Sequence, residues 1–210
     1  MNSNAIFDIM LEDFPNPDCE LVYSDAFTLL VAVVLSAQTT DAAVNKVTPN
    51  IFKKYNDVYA LAEANLSDVE LLIKSIGLYH NKAINIIALS KMLVEDFNGN
   101  VPSSMNDLCL LPGVGRKTAS VVRSVYFKIP SMPVDTHVTR LSARLGFAKL
   151  NDSTSVIESK LKRKIEKDRW IEAHHLLILY GRYKCKAKNP TCGDCKLHEY
   201  CKEYKNKYRR

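Results

Sequence analysis

Apolar positions recur at helical spacing along almost the whole chain. Residues 27–38 are apolar on nearly every side, which is typical of a central helix buried by its neighbours. Residues 83–97, 117–127 and 136–145 instead show a 3.6-residue period, which predicts helices with one buried face. No run of alternating apolar and polar residues bounded by turns predicts a strand. The pattern therefore predicts an all-α fold of about ten helices joined by short loops.

Helix ends are predicted from capping residues and helix breakers. Ser67-x-x-Glu70 and Ser155-x-x-Glu158 match the capping box, which predicts a helix start at each serine. Pro49 is expected to break or kink the helix of residues 41–55, since it has no N–H to donate. Helix ends are predicted at Asn98-Gly99, Gly146 and Gly181.

Charge is unevenly distributed along the 210 residues. Residues 1–100 hold 6 Lys and Arg against 13 Asp and Glu, whereas residues 101–210 hold 23 against 10, so the net +6 is the sum of −7 and +13. An anionic partner would therefore contact mainly the second half of the chain.

Two classes of protein are disfavoured. The longest apolar run, residues 27–37, is too short for the roughly 20 residues of a membrane-spanning helix, so we expect no membrane partner. The N-terminus is acidic and lacks the basic start of a secretory signal or the arginines of a transit peptide. We therefore expect a reducing, cytoplasmic location, in which the six cysteines would not form a disulfide framework.

Four of the cysteines cluster near the C-terminus. Cys185, Cys192, Cys195 and Cys201 have the spacing C-x6-C-x2-C-x5-C, which suits a tetrahedral zinc or a [4Fe–4S] cluster. Zinc sites usually pair two short hairpins, and only one pair here has that spacing, which favours iron–sulfur. Lys186 and Lys188 lie between the first two cysteines. They form either a solvated face or a contact with a phosphate backbone. Cys19 and Cys109 are isolated, and we expect each to be a small buried apolar residue.

A glycine-containing hairpin, Leu111-Pro112-Gly113-Val114-Gly115, joins two predicted helices. Gly113 and Gly115 permit a positive φ and close backbone approach. The free amides at the start of the next helix, together with the positive end of its dipole, would form a phosphate site that includes Arg116 and Thr118. The alternative is a plain helix–helix turn.

Lys117 and Asp135 are the candidate reactive residues. Lys117 falls in the first turn of a helix, where the dipole disfavours a cation, so we expect a lowered pKa and an amine able to form a Schiff base. The alternative is a surface lysine that contacts phosphate. Asp135 is a good N-cap for the helix of residues 136–145, and a capping carboxylate keeps one oxygen available for chemistry.

These features together resemble the endonuclease III family of DNA glycosylases with AP lyase activity. The resemblance is carried by LSAQTTDAAVNK, IKSIGLYHNKA, LPGVGRKTASVV, VDTHVTRL and the four-cysteine tail, and it covers almost the whole chain. It implies two helical domains flanking a DNA-binding cleft. Residues 19–129 would form a six-helix domain with the helix–hairpin–helix, and residues 1–18 and 130–210 would form an iron–sulfur cluster domain.

The resemblance also implies roles for individual residues. Lys117 is expected to be the nucleophile and Asp135 the catalytic carboxylate in removing oxidised or ring-damaged pyrimidines from double-stranded DNA. The strand would then be cut by β-elimination. Gln38 and Leu78 match positions that fill the gap left by a flipped nucleotide, and His137 is expected to contact the lesion strand. The four tail cysteines would bind a [4Fe–4S] cluster. Tyr126 and Lys128 receive no role.

Three other functions are compatible with parts of the pattern. The related monofunctional mismatch glycosylases share the hairpin and the cluster but usually lack a lysine equivalent to Lys117. A non-catalytic DNA-binding module with a structural metal would explain the hairpin and the cysteines. An electron-transfer protein would use the cluster alone. We expect a monomer that is associated with the nucleoid of a prokaryote.

Overall fold

A computed structural model of the chain describes residues 3–208, and these residues form twelve α-helices, one 3₁₀ turn and connecting loops without any β-strand. The all-α prediction is confirmed. In chain order the helices are α1 (Ser3–Asp13), α2 (Ala26–Leu35), α3 (Asp41–Lys54), α4 (Val58–Ala62), α5 (Leu66–Ile73), α6 (Tyr79–Phe97), α7 (Met105–Leu110), α8 (Arg116–Val125), α9 (Thr136–Leu145), α10 (Thr154–Lys164), α11 (Trp170–Tyr183) and α12 (Lys202–Tyr208), and the 3₁₀ turn is Lys167–Arg169. No helix within residues 3–208 has the length and hydrophobicity needed to cross a membrane.

The described residues divide into two compact units. The continuous unit is residues 20–129, and the split unit combines residues 3–19 with residues 130–208. The sequence-based boundary lies one residue earlier, before Cys19. Hence α2 to α8 belong to the continuous unit, while α1 and α9 to α12 belong to the split unit.

Helix α2 is the centre of the continuous unit. Its start is fixed by a capping box, in which the Asp25 carboxylate accepts from the Thr28 N–H at 2.8 Å and the Thr28 hydroxyl oxygen accepts from the Asp25 N–H at 3.0 Å. Every residue from Phe27 to Leu35 is buried, and α2 packs against α3, α6 and α8. Since each fully buried aliphatic side chain contributes about 1.5–3 kcal/mol, this helix supplies much of the stability of the unit.

The core of the split unit joins the two ends of the chain. Ile6, Phe7 and Met10 of α1 are buried in one cluster with side chains of α9 and α11, among them Leu141 and Tyr180. At the surface, acidic residues of the N-terminal segment pair with basic residues from the later part of the chain. The pairs are Lys184–Asp13 at 2.7 Å, Lys196–Glu12 at 2.6 Å and Arg169–Asp8 at 2.9 Å.

Both predicted capping boxes are wrong in the same way. Helix α5 is capped by Asn65, whose side chain accepts from the Ser67 N–H at 2.9 Å, and α10 is capped by Ser153. Each predicted serine lies two residues inside its helix, and its hydroxyl bonds to the side chain of the true cap, at 2.7 Å for Ser67 and 3.0 Å for Ser155. The serine in the pattern therefore supports the cap without being the cap.

The predicted helix end at Gly181 is wrong, and of the break or kink predicted at Pro49 the break is absent. Helix α3 runs through Pro49, because buried side chains on both sides of the proline hold it against its neighbours despite one missing hydrogen bond. Helix α11 continues past Gly181 to Tyr183. A Cβ at Gly181 would lie 2.9 Å from the His137 Cβ, so this glycine permits close packing of α9 on α11 and does not end the helix. The predicted ends at Asn98-Gly99 and Gly146 are confirmed by left-handed backbones there.

Candidate functional site

The hairpin before α8 is a tight turn anchored in the continuous unit. The Val114 N–H donates to the Leu111 carbonyl at 3.0 Å, and both side chains are buried. Gly113 has φ +76°, and a Cβ there would lie 2.9 Å from the Cβ of Asn85, so the turn packs against α6 and requires glycine. Gly115 has φ −88° and open space around it. The two glycines therefore differ in their roles: Gly113 shapes the turn, and Gly115 leaves its outer side uncovered.

The start of α8 presents its first turn to solvent. Gly115 is the N-cap and has no side chain to cap the helix, while Arg116 and Lys117 are exposed and Thr118 is half-buried. By helix geometry the first amides have no acceptor within the helix. An uncapped positive helix end beside two basic side chains attracts a phosphate.

Two loops of the continuous unit present side chains on left-handed backbone. Gln38 (φ 54°) lies in the turn between α2 and α3, so the helix predicted over residues 27–38 ends three residues earlier than expected, at Leu35. Leu78 (φ 59°) immediately precedes α6, and its side chain is 56% exposed. An exposed leucine on a strained backbone is not explained by core packing.

Asp135 caps α9 in the split unit. Its Oδ1 accepts from the Val138 N–H at 2.8 Å, and the residue is half-buried. The cap role predicted from the sequence is therefore present. Because that bond uses one carboxylate oxygen, the second oxygen can face a ligand.

His137 is the second residue of α9, two positions after the capping Asp135, and it is held by Arg140. The Arg140 guanidinium lies 3.2 Å from His137 Nδ1 and donates to the Gly181 carbonyl at 2.7 Å and to the Cys185 carbonyl at 3.1 Å. Burial lowers the pKa of His137, and the Asp135 carboxylate partly opposes this effect. The imidazole is consequently mostly neutral at neutral pH.

The four tail cysteines are half-buried free thiols in the split unit. Cys185, Cys192 and Cys201 line one cavity of about 40 Å³ together with Arg144 and other residues of the tail. Three of the four sulfurs have hydrogen-bond partners. Arg144 Nη1 donates to Cys185 Sγ at 3.2 Å, the Tyr204 N–H donates to Cys201 Sγ at 3.4 Å, and the Tyr180 hydroxyl lies 3.6 Å from Cys195 Sγ.

This arrangement fits thiolate ligands. N–H donors directed at sulfur stabilise a thiolate, as they do around iron–sulfur clusters. Burial raises the pKa of the Cys185 thiol, with the Arg144 guanidinium opposing the rise. No three His, Cys, Asp or Glu side chains among residues 3–208 converge as the ligands of a metal ion.

Lys186 and Lys188 lie in the loop between the first two of these cysteines and are exposed. Arg144 also holds this loop, by donating to the carbonyls of Lys186 at 2.8 Å and Ala187 at 3.4 Å. The lysine side chains therefore extend from a loop whose backbone is fixed to α9. Cys19 is only half-buried and Cys109 is exposed, so the expectation that both are buried is wrong.

The sequence interpretation missed the residues that support these sites. Arg140 and Arg144 are four residues apart on α9, and this i, i+4 spacing places them on one helix face, which is a signal that could have been used. Lys82 was also missed. It lies within IKSIGLYHNKA, but nothing in that segment separates a buried lysine from a solvent-facing one.

Comparison with known proteins gives a consistent set of matches. The model of the HhH-GPD superfamily of base excision DNA repair proteins matches residues 31–167. Endonuclease III of Bacillus subtilis (strain 168) is 52% identical over 190 residues, which cover 90% of this chain and 87% of that protein.

Two solved structures are similar over nearly their whole length. One is a non-covalent endonuclease III–DNA complex, which is 48% identical with a TM-score of 0.93 and covers 99% of this chain and 97% of its own. The other is a trapped endonuclease III–DNA covalent intermediate, which is 49% identical with a TM-score of 0.92 and covers 97% of this chain and 95% of its own.

Proposed function

We propose that this chain, which belongs to the endonuclease III family of the HhH-GPD superfamily of base excision DNA repair proteins, removes damaged pyrimidines from duplex DNA. Lys117 acts as its nucleophile and Asp135 as its catalytic carboxylate. The protein is a bifunctional enzyme, a DNA glycosylase and AP lyase, that excises the base and cuts the strand at the abasic site by β-elimination. The observation that carries the residue assignment is an exposed lysine, Lys117, in the uncapped first turn of the helix that follows the glycine hairpin.

The hairpin and the start of α8 bind the phosphate backbone. Gly113 and Gly115 let the backbone approach a phosphate closely, while Arg116 and Thr118 supply side-chain donors next to the free amides. Lys186 and Lys188 add two positive charges from the cysteine loop. These contacts hold the DNA without reading its sequence.

Chemistry at the lesion requires that the damaged nucleotide leaves the helix. Gln38 and Leu78 then occupy the space it vacates, because one offers an amide for hydrogen bonding and the other an apolar wedge. Their exposure on strained backbone supports this role.

Lys117 acts as the nucleophile. Its neutral amine attacks C1′ of the flipped nucleotide, the glycosidic bond breaks with its electron pair going to the base, and the base takes up the proton that the attached amine loses. Loss of the second proton from the amine and opening of the sugar ring give a Schiff base, which acidifies the C2′ proton. Removal of that proton expels the 3′ phosphate and cuts the strand. The covalent endonuclease III–DNA intermediate of a 49% identical relative supports a covalent route.

Asp135 stabilises positive charge at the sugar. Its carboxylate is fixed by the cap bond to Val138, and a preorganised anion favours the oxocarbenium-like transition state. His137, mostly neutral and held near Arg140, contacts the lesion strand as a hydrogen-bonding group.

Cys185, Cys192, Cys195 and Cys201 bind a [4Fe–4S] cluster. When bound, the cluster cross-links the tail of the split unit and so contributes to its folding. The N–H donors directed at the sulfurs of Cys185 and Cys201 support thiolate ligation.

Borohydride trapping tests the nucleophile. The parent protein should form a covalent adduct with duplex DNA that contains an abasic site, since borohydride reduces a Schiff base to a stable amine. Lys117→Ala should form no adduct but still bind the DNA, and Lys91→Ala, an exposed lysine on α6, should form as much adduct as the parent. Full trapping by Lys117→Ala would show that another amine is the nucleophile. Base removal without any adduct from the parent would indicate a monofunctional glycosylase.

Metal analysis tests the cluster. We expect iron and acid-labile sulfide in equal amounts, about four of each per chain, with broad visible absorption that Cys201→Ser loses. One zinc per chain without sulfide would contradict the cluster and support the mononuclear alternative.

The cellular context follows from the substrate. We propose that the protein acts as a monomer on chromosomal DNA in the cytoplasm of a bacterium; the organism of the 52% identical relative supports the bacterial setting. Light scattering that gives a mass near 23.7 kDa for the free protein would agree with a monomer.

A further inference from the structure

One buried lysine of the continuous unit contacts both loops that carry left-handed residues. Lys82 lies in the second turn of α6, and its side chain is only 4% exposed. Its Nζ donates to the Thr39 hydroxyl at 2.7 Å, and its own N–H donates to the Leu78 carbonyl at 3.0 Å. Lys82 therefore connects the α2–α3 turn with the start of α6.

Thr39 is itself hydrogen-bonded within the α2–α3 turn. The Thr39 hydroxyl lies within 3.5 Å of the Ala37 carbonyl, and the Thr39 N–H donates to the Ser36 carbonyl at 3.0 Å. These bonds join the residues on either side of Gln38, whose own backbone has φ 54°. The Lys82–Thr39 bond thus holds the turn at the point next to Gln38.

The conformations held in this way are unfavourable by themselves. A left-handed backbone at a residue other than glycine costs about 1–3 kcal/mol and persists only where surrounding contacts impose it. Gln38 and Leu78 both have such a backbone, and both have exposed side chains. The Lys82 side chain bonds to Thr39, the residue that follows Gln38, and its backbone N–H makes the first helical hydrogen bond of α6, to the carbonyl of Leu78. The side-chain bond therefore ties the turn that carries Gln38 to the helix start that carries Leu78.

A lysine is a costly means of filling this position. Burial lowers the pKa of the Lys82 ammonium, which shows that the surroundings disfavour its charge. The bond joins the ammonium to a neutral hydroxyl, whereas an apolar side chain of similar length would fill the volume without desolvating a charge. Packing alone therefore does not explain a lysine here.

We propose that Lys82 is a positioning residue that fixes the turn carrying Gln38 relative to Leu78, so that both side chains enter the DNA together when a nucleotide is flipped out. This inference rests on the proposed function, in which these two residues fill the vacated space. If the spacing between the two loops varied, ordering them would add to the barrier for extrusion. Phosphate contacts at the hairpin would not change.

The test compares substrates that do and do not need extrusion. Duplex DNA containing thymine glycol requires insertion of both side chains, whereas a single-stranded oligonucleotide with one abasic site requires only Schiff-base chemistry. For Lys82→Met and Thr39→Val we expect single-turnover excision from the duplex to be roughly tenfold slower, with the substrate concentration for half-maximal rate little changed. Trapping on the single-stranded abasic site should match the parent protein.

Three controls isolate the effect of the hydrogen bond between Lys82 and Thr39. Thr39→Ser keeps the hydroxyl and should retain the parent rate. The double variant of Lys82→Met and Thr39→Val should be no slower than either single variant, because both remove the same bond. Lys91→Met, an exposed lysine on α6, should have no effect. With 2-aminopurine next to the lesion, the fluorescence rise that reports extrusion should slow by the same factor as excision.

The outcomes separate this proposal from the function on which it rests. Duplex rates within twofold of the parent for both Lys82→Met and Thr39→Val would overturn the positioning role, and so would equal losses on the two substrates. If Lys82→Met does not fold, the Thr39→Val and Thr39→Ser pair decides the same question, since Thr39 is only half-buried. Failure of the parent protein to trap on either substrate would instead contradict the proposed function.

Discussion

Asp135 is expected to have two separable roles, because its carboxylate both caps α9 and acts at the sugar. The cap bond is well formed, with Oδ1 at 2.8 Å from the Val138 N–H. Asparagine caps a helix about as well as aspartate, whereas alanine forfeits the bond at a cost of about 1 kcal/mol. Asp135→Asn should thus keep the stability of the parent, while Asp135→Ala should lose about 2–4 °C in Tm for a chain of this size.

The two substitutions of Asp135 should slow base excision equally, although they differ in their effect on stability. Both substitutions remove the negative charge, and loss of one preorganised electrostatic group slows reactions by about 10²–10³-fold, or roughly 3–4 kcal/mol of transition-state stabilisation. Asp135→Asn and Asp135→Ala should therefore be about equally slow in single-turnover base excision. Ser153→Ala, which removes the cap of α10 in the same unit, should lower Tm slightly and leave excision unchanged.

These results rest on thermal unfolding and single-turnover excision measured on the same preparations. If excision followed stability, with Asp135→Asn near the parent rate and Asp135→Ala slow, the carboxylate would be only a cap. Equal Tm values for the two Asp135 variants would show that the cap contributes nothing measurable, which would refute the stability half of the reasoning.

Two further predictions follow from backbone and surface geometry. Gly113→Ala should lower the Tm and weaken DNA binding, because alanine disfavours φ +76° and its Cβ would meet Asn85 at 2.9 Å. Gly115→Ala, at φ −88° with open space, should lower the Tm less, since it forfeits only the preference of an N-cap for glycine over alanine; equal Tm losses in thermal unfolding would contradict this assignment. The hydrogen bond from Lys160 lowers the pKa of the Asp152 carboxyl, so its stabilising contribution is present above the unfolded-state pKa and is lost as pH falls through the folded-state pKa. Asp152→Asn should consequently have a lower Tm than the parent at pH 7, and the difference should vanish in strongly acidic buffer; a difference independent of pH would rule out the ion pair as its cause.

Periodicity was sufficient to predict the main helices but not all of their limits. The buried helix of residues 27–38 is visible in the sequence because it is apolar on all sides, yet it ends at Leu35, since a polar turn leads from there to Gln38. Short helices such as Val58–Ala62 span little more than one turn, and five residues cannot establish a period.

Glycine and serine were misread because their local pattern does not reveal their tertiary contacts. Gly181 resembles a helix end in the sequence, but its absent side chain makes room for His137 on α9. The candidate reactive residues could be predicted from the sequence because they lie in specific motifs, as Lys117 does in LPGVGRKTASVV. The supporting role of Lys82 could not be predicted, because its bond to Thr39 joins positions 43 residues apart.

The split unit has a consequence for the order of folding during synthesis. All residues of the continuous unit have left the ribosome once Ile129 has emerged, so this unit can fold while the chain is still growing. Helix α1 is made before the continuous unit, but Ile6, Phe7 and Met10 are buried against α9 and α11 and must remain exposed until those helices have been made. A nascent chain stalled before α11 would thus present a folded middle segment and an unfolded, protease-sensitive start. The unit that holds Asp135 is therefore completed only after the continuous unit has been made.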